Sequence, residues 1–384
     1  MRICFIMPYF YREKSAGAEI QSYLIAGELA KRGYDVYYLC GNLNKNTPEE
    51  EIVGGIKVQR KLKNLKIFKF LNFFLILAHI SHLKYQIYYQ RMASPYTGIV
   101  GIISKLTGGK FIWACSEDAT LEKNYFIKLQ LNHFKGYAGN FIKKTLLLSD
   151  SIINQILFNL GIKLADVCIV QNNYQKQKLF ENYGRNGIII RSGHIPAKGK
   201  IEKDNPPIVL WLNGISKRKQ PALFIELARQ CQELNCKFIM IGGQAKKDYL
   251  NSVLSKAKDL PNFEYIGEIP FEETNRWFRK ASIYVNTTIA GREGLPNTFI
   301  QSWLNETPVI SLNVNPDNIL TEYNIGIHSK NFEQLVKDVK FLLGNQDVRL
   351  KMGKTSREFA EKTFNINDIV DRYEMMIKQL YKKR

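Results

Sequence analysis

Short apolar runs alternate with longer amphipathic stretches along most of the chain. ICFIM (3–7) leads through a polar loop to AEIQSYLIAGELAKRG (18–33), where Ile20, Leu24, Ile25 and Leu29 recur at helical spacing. VYYLC (36–40), IKVQR (56–60), an amphipathic stretch to about 83, IYY (87–89) and FIWAC (111–115) follow. A long helical region to about 160, then VCIVQ (167–171) and IIIR (188–191), complete a first series. Strand–helix alternation of this kind predicts a mostly parallel sheet with helices on both faces.

HIPAKGKIEKDNPP (194–207) is polar, holds three prolines and reads as a linker. A second series starts at IVLWL (208–212) and runs through KFIMIGG (237–243), FEYIG (263–267), IYVNTT (283–288) and PVISL (308–312). Helices are predicted near 331–345, 347–361 and 366–381. The expected organisation is an N-terminal domain over 1–194, a linker over 195–207 and a C-terminal domain over 208–364. A final helix over 365–384 is expected to pack back on the first domain. Two doubly wound α/β domains facing a cleft follow, because ligands bind outside the carboxyl ends of such strands.

Composition narrows the picture. With 384 residues and 45% hydrophobic content, the chain can bury two cores. No apolar run is expected to reach the ~18–20 residues needed to span a bilayer. The nearest, IFKFLNFFLILAHI (67–80), is broken by Lys69 and Asn72, and MRICFIMP reads as a first strand and not a leader. Six cysteines without CxxC pairing or zinc spacing are expected to be reduced and buried, which suits a cytoplasmic protein. The net charge of +20 is uneven: residues 1–200 hold 28 Lys/Arg against 13 Asp/Glu. Such a balance suits an anionic lipid surface, a nucleic acid or a phosphorylated substrate, and equally a merely solvated basic surface.

Four segments at strand ends carry candidate chemistry. In FYREKSAGAEIQ, Gly17 stands just ahead of a helix, where backbone N–H groups favour an anion; any tight turn could also use glycine. After FIWAC come Ser116, Glu117 and Asp118, which could bind sugar hydroxyls or take a proton, or simply cap a helix. NGISKRKQP (213–221) places Lys217, Arg218 and Lys219 in a loop entering a helix. Three cations there suit a diphosphate, and a solvated charged loop is the other reading.

The fourth segment is GREGLPNTFIQSWLNETPVI (291–310). Pro296 is expected as the first helical residue, with the N–H groups of Gly294, Leu295 and Asn297 as donors at the helix mouth. Gln301, about a turn and a half inside, should lean its amide toward the same mouth. Glu293 would repel phosphate and suits hydroxyls or a developing cation. Missing motifs also discriminate: GxGxxG after either first strand, GxxxxGK[ST], Asp-x-Asp, HExxH and GxSxG are all absent. The histidines at 79, 82, 133, 194 and 328 are scattered, which gives a histidine metal site or triad little support.

Taken in order, SAGAEIQSYLIAGELAKRGYDVYYL, DVCIVQNNYQKQKLFENYG (166–184), VLWLNGISKRKQPALFIELA (209–228) and EGLPNTFIQSWLNETPVI (293–310) resemble segments of retaining GT-B glycosyltransferases of family 4. The resemblance runs from about residue 1 to 380. It implies a nucleotide-sugar donor on the C-terminal domain and an acceptor on the N-terminal one. Lys219 matches the lysine of the donor diphosphate, and Glu293 the first acid of the signature, near the sugar hydroxyls. Gln301 matches the second acid, on the ribose. Gly294 and Leu295 match backbone donors, Ile266 and Gly267 the nucleobase site, and Gly17 the phosphate-side glycine loop. Three positions depart from the pattern: Gly214 replaces an arginine, Gln301 replaces an acid, and Ser116–Asp118 occupy the neighbourhood of a histidine. Glu293 and Asp118 are the catalytic candidates.

The implied reaction is sugar transfer with retention and with neither metal nor cofactor. The donor is a UDP-sugar or GDP-mannose, and the acceptor a lipid-linked or other saccharide in cell-surface polysaccharide assembly. The basic, aromatic stretch 61–79 could rest on an anionic membrane, or pack on the first sheet as an ordinary helix. Alternatives are a GT-B nucleotide-sugar epimerase and an inactive nucleotide-sugar-binding relative. A nucleic-acid-binding protein lacks any recognisable module and is not expected.

Overall fold

A computed structural model describes residues 1–43, 47–81, 84–135, 139–196, 199–243, 246–291 and 293–382. The chain divides into two compact units, Met1–Gly193 with Ile366–Arg384, and His194–Asn365.

The first unit begins β1 (Arg2–Tyr9), α1 (Gly17–Lys31), β2 (Asp35–Gly41), β3 (Glu50–Val53), β4 (Ile56–Leu62), α2 (Asn72–Ser81) and β5 (Ile87–Arg91). It continues α3 (Tyr96–Thr107), β6 (Lys110–Ala114), α4 (Tyr125–Phe134), α5 (Phe141–Leu164), β7 (Val167–Val170), α6 (Asn173–Tyr183) and β8 (Gly187–Ile189). Its eight-stranded sheet has the order β3-β4-β2-β1-β5-β6-β7-β8, parallel except for the β3–β4 pair. The central strands are apolar on both faces because helices cover both, so Cys4, Ile6, Tyr88, Phe111 and Trp113 all lie in one core.

Two elements escaped the sequence reading. The β3–β4 hairpin closes on Gly54 and Gly55, both at positive φ, a Gly-Gly signal that was there to be read. The polar strand GluGluIleVal hid it. Arg60 of β4 is fully enclosed and pairs with Glu13 and Glu51, which ties the hairpin to the loop after β1. Helix α3 was also missed, and the single helical region expected to about 160 is split into a 3-10 turn (Asp118–Leu121), α4 and α5. A Cβ on Gly98 of α3 would overlap the Leu157 backbone, and one on Gly161 the Thr97 backbone. Glycine is what lets α3 and α5 cross so closely.

The stretch 61–79 takes in the end of β4, a loop, a 3-10 turn (Lys69–Leu71) and most of α2. Phe70, Phe73, Ile76 and Leu77 pack on the core, whereas Leu71 and Phe74 are exposed. By length and composition α5 could cross a membrane, a property missed because Lys143, Lys144 and Asp150 interrupt its apolar run. Its second half is instead built into this unit, with Phe158 and Ile162 buried.

The second unit comprises β9 (Ile208–Leu212), α7 (Pro221–Arg229), β10 (Lys237–Ile241), α8 (Lys247–Leu254), β11 (Phe263–Gly267), α9 (Phe271–Lys280) and β12 (Ala281–Asn286). Then follow α10 (Asn297–Leu304), β13 (Val309–Ser311), α11 (Ile319–Glu322), β14 (Gly326–His328), α12 (Phe332–Gly344) and α13 (Gln346–Thr363). Its six strands are all parallel, in the order β11-β10-β9-β12-β13-β14. Two apolar clusters, one around Trp211 and Phe224 and one around Trp303 and Phe299, fill the two faces. The strand order reverses between β9 and β12, which makes their carboxyl ends the topological switch point. The last helix is α14 (Ile366–Lys382), which belongs to the first unit: Arg32, the residue that caps the end of α1, bonds Asp371 at 2.6 Å and Glu374 at 2.9 Å.

Candidate active site

The loops after β9 and β12 lie side by side at the switch point of the second unit. The backbone N–H of Ile289 donates to the Arg218 carbonyl at 3.0 Å. The Thr287 hydroxyl donates to the Lys219 carbonyl at 2.6 Å and accepts from Trp211 Nε1 at 2.9 Å. A buried tryptophan thus fixes a threonine, which fixes the backbone of the lysine loop. Lys217, Arg218 and Lys219 form a 3-10 turn that enters α7 through Gln220 at positive φ.

These constraints bring Lys219 and Glu293 together. The ammonium pairs directly with Glu293 Oε1, and their side chains are only 13% and 11% exposed. Glu293 Oε2 is buried without a hydrogen-bond partner, as is the hydroxyl of nearby-in-sequence Thr288. Buried polar atoms are usually satisfied, so an unpartnered carboxylate oxygen on the acid that pairs with Lys219 marks a place where a hydroxyl-bearing ligand would gain.

Behind Glu293, Gly294, Leu295 and Pro296 are buried. Pro296 corrects one expectation. It is extended, at φ −63° and ψ 132°, and precedes the helix, so that Asn297 is the first residue of α10. Gln301 is buried, and its Nε2 donates to the Thr274 hydroxyl of α9 at 2.8 Å.

The adjoining strand ends are glycine-rich. Gly242 N–H donates to the Gly267 carbonyl at 2.9 Å, and Ile215 N–H to the Gly243 carbonyl at 2.8 Å. A Cβ on Gly242 would collide with the Asn213 carbonyl, so these backbones can sit this close only without one. Gly214 is exposed on this loop. Gly267 has φ +93° and nothing near its Cβ direction, with Ile266 half-buried before it. Below the loops, Tyr284 Oη accepts from Asn213 Nδ2 at 2.9 Å and meets Thr298 Oγ1 at 2.9 Å, and burial pushes its pKa up to about 12.

Sequence reasoning missed Gly242, Gly243, Asn213, Thr287 and Tyr284. The GlyGly after β10 was the available signal. It also missed His194, which is buried and hydrogen-bonded to Asn297. Burial pushes its pKa down to about 4 despite that bond. Its backbone N–H donates to the Phe364 carbonyl at 2.8 Å, so the imidazole holds the start of α10 from the first residue of this unit.

In the first unit, Gly17 opens α1 and is exposed. Asp118 is buried, and its Oδ1 accepts from Gln175 Nε2 at 2.8 Å and Asn172 Nδ2 at 3.2 Å. Gln171 donates to the carbonyls of Cys115 and Ser116 at 3.1 Å and accepts from Ser192 Oγ, which in turn accepts from Arg91. The 115–118 loop is thereby anchored from β7 and α6, and Glu117 accepts from Tyr125 Oη at 3.1 Å. All six cysteines are free and buried. His82 lies outside the described residues. Among the described residues, no three His, Cys, Asp or Glu side chains cluster as metal ligands would.

Comparison with known proteins follows the same lines. Residues 196–359 match the family described as Glycosyl transferases group 1. No curated protein matches the sequence. Similar solved structures cover the chain end to end. Sucrose-phosphate synthase from Thermosynechococcus elongatus superposes with a TM-score of 0.76 at 15% identity, covering 100% of both chains. Anabaena HepE in complex with UDP-glucose gives 0.73 at 13%, also covering 100% of both. A glycosyltransferase from Rickettsia africae gives 0.72 at 19%, covering 100% of this chain and 99% of that one. Residues 196–359 are thus a glycosyl transferases group 1 domain, and the protein is a glycosyltransferase of the GT-B fold.

Proposed function

We propose that this protein transfers a hexose-type sugar from a UDP-sugar, with GDP-mannose as the alternative donor, to a lipid-linked or saccharide acceptor in cell-surface polysaccharide assembly. The reaction proceeds with retention and without a metal, in the cytoplasm at the inner face of the membrane. The observation that carries this reading is the Lys219–Glu293 pair at the switch point of the second unit. The HepE complex with UDP-glucose supports a uridine donor.

Lys219 is the diphosphate ligand, aided by Lys217 and Arg218 from the same turn and by the backbone of Gly214. Its positive charge stabilises the leaving nucleoside diphosphate, a preorganised electrostatic contribution. Glu293 receives the sugar hydroxyls through its unpartnered oxygen and favours the cationic character that develops at the anomeric carbon. The Gly294 and Leu295 backbone and Asn297 border the sugar and phosphate. Ile266 and Gly267 border the base. Gln301 reaches the ribose only by turning from Thr274. Gly17 is assigned to the phosphate side and Asp118 to the acceptor side, where its anchored loop presents Ser116 and Glu117.

The test is donor turnover in EDTA, with the anomeric configuration of the product read by NMR. Release of UDP with a retained anomer is expected. Loss of turnover in EDTA, or an inverted product, overturns the mechanism. Free sugar or an epimer formed without any acceptor supports the epimerase alternative.

A further inference from the structure

Helices α4 and α5 leave an apolar, basic face uncovered on the first unit. No residue of α4 is buried, and neither is any of residues 141–149 in α5. Leu129, Leu131, Phe141, Ile142 and Leu146 are exposed, Phe141 to 83% and Ile142 to 68%. A cluster of large apolar side chains in water marks an interaction surface more often than chance.

The rest of α5 is fixed to the unit. Gly161 crosses α3, and Phe126 of α4 donates its N–H to Gln155 at 3.1 Å. The exposed end is therefore held on a rigid base. Asp150 accepts from the Phe68 N–H at 2.7 Å, which brings the segment with exposed Leu71 and Phe74 alongside α5.

Charge selects the occupant. Residues 123–149 contain Lys123, Lys128, Lys135, Lys143 and Lys144 and not one Asp or Glu. Glu122, just ahead of this stretch, pairs with Lys128 at 3.9 Å, and a symmetric pairing of two copies across this face would still set the remaining lysines against one another. An anionic lipid surface meets both properties at once, because it accepts apolar side chains at the headgroup boundary and lysines at the phosphates.

We propose that the α4–α5 face docks this protein on an anionic phospholipid membrane. Phe141, Ile142 and Leu146 enter the interface, and Lys143 and Lys144 meet the phosphates. The segment 61–79 lies at the margin of this face. The inference deepens the proposed lipid-linked acceptor, yet its test needs neither donor nor acceptor.

The experiment is vesicle flotation of the full chain, with equimolar phosphatidylglycerol and phosphatidylcholine against phosphatidylcholine alone. Binding to the anionic vesicles only is expected, weakened by high salt. Phe141→Ser/Ile142→Ser and Lys143→Glu/Lys144→Glu should each lower partitioning by about tenfold or more. Phe141, Ile142 and Lys143 are exposed and Lys144 is half-buried, and unaltered thermal unfolding shows that the fold is kept. Failure to bind either vesicle, or equal binding by the variants, overturns the proposal. A dimer in solution that Phe141→Ser/Ile142→Ser dissolves also overturns it, in favour of a second copy on this face. Vesicle binding that survives alongside a failure to bind UDP sinks the donor reading and leaves this one standing.

Discussion

Replacing Glu293 by glutamine should separate donor binding from transfer. Its carboxylate pairs with Lys219, and both groups are about nine-tenths enclosed. A donor diphosphate must compete with that carboxylate for the ammonium and then tolerate its negative charge nearby. At a separation of about 6 Å and an effective dielectric of about 20, Coulomb's law gives a repulsion of ~2.8 kcal/mol, which partial solvent access reduces to ~1–2 kcal/mol. Glu293→Gln removes this term, so UDP should bind about fivefold to thirtyfold more tightly. Transfer should fall steeply, because the oxygen assigned to the sugar and its developing charge has lost its negative charge. Lys219→Met should do the reverse to UDP, abolishing measurable affinity. It also strands a buried carboxylate, at a cost of about 3–5 kcal/mol in stability. Calorimetric titration with UDP reads the first effect and chemical unfolding the last. Were Glu293→Gln to weaken UDP as much as Lys219→Met does, the carboxylate would not be a competitor and the division of roles would be wrong.

Other expectations follow from burial. His194 titrates near pH 4 when folded and near pH 6.5 when unfolded, so its contribution is complete above pH 6.5 and is lost as pH falls toward 4. The loss amounts to ~3 kcal/mol, and His194→Gln should flatten that part of a stability–pH profile measured by urea unfolding. Gly161→Ala would force α5 away from Thr97 and should cost about 1–3 kcal/mol, seen as a lower Tm with no change in UDP affinity. Arg60→Met leaves Glu13 and Glu51 facing each other without their shared cation, and should cost about 3–5 kcal/mol. Limited proteolysis should then begin near residues 10–16, the loop that Arg60 holds through Glu13.

Much of this architecture could be read from strand–helix alternation, because parallel strands buried on both faces are short apolar runs bounded by turns. What escaped was polar or local. The first strand of the β3–β4 hairpin is four residues long, two of them acidic, at the sheet edge, so periodicity gave no sign of it. The α3–α5 crossing depends on Gly98 and Gly161, far apart in sequence and meaningful only together. At the site, Lys219, Glu293, Gly214, Gly267 and Gly294 could be picked out from the sequence. Their pairing could not, since it depends on two loops meeting at the β9–β12 reversal. The bond from Gln301 to Thr274 was not legible either, since helical spacing shows which way a side chain leans but not which residue of α9 it meets. His194 was discounted among scattered histidines, yet the fold sets it against Asn297.

The most direct test of the account is thermal unfolding of the pure protein with UDP, GDP, ADP and CMP in turn. A nucleotide at 100 times its dissociation constant adds ~2.7 kcal/mol to stability. The account predicts a clear upward shift with UDP, absent in Lys219→Met and enlarged in Glu293→Gln at a subsaturating concentration. No shift with any of the four nucleotides would contradict it.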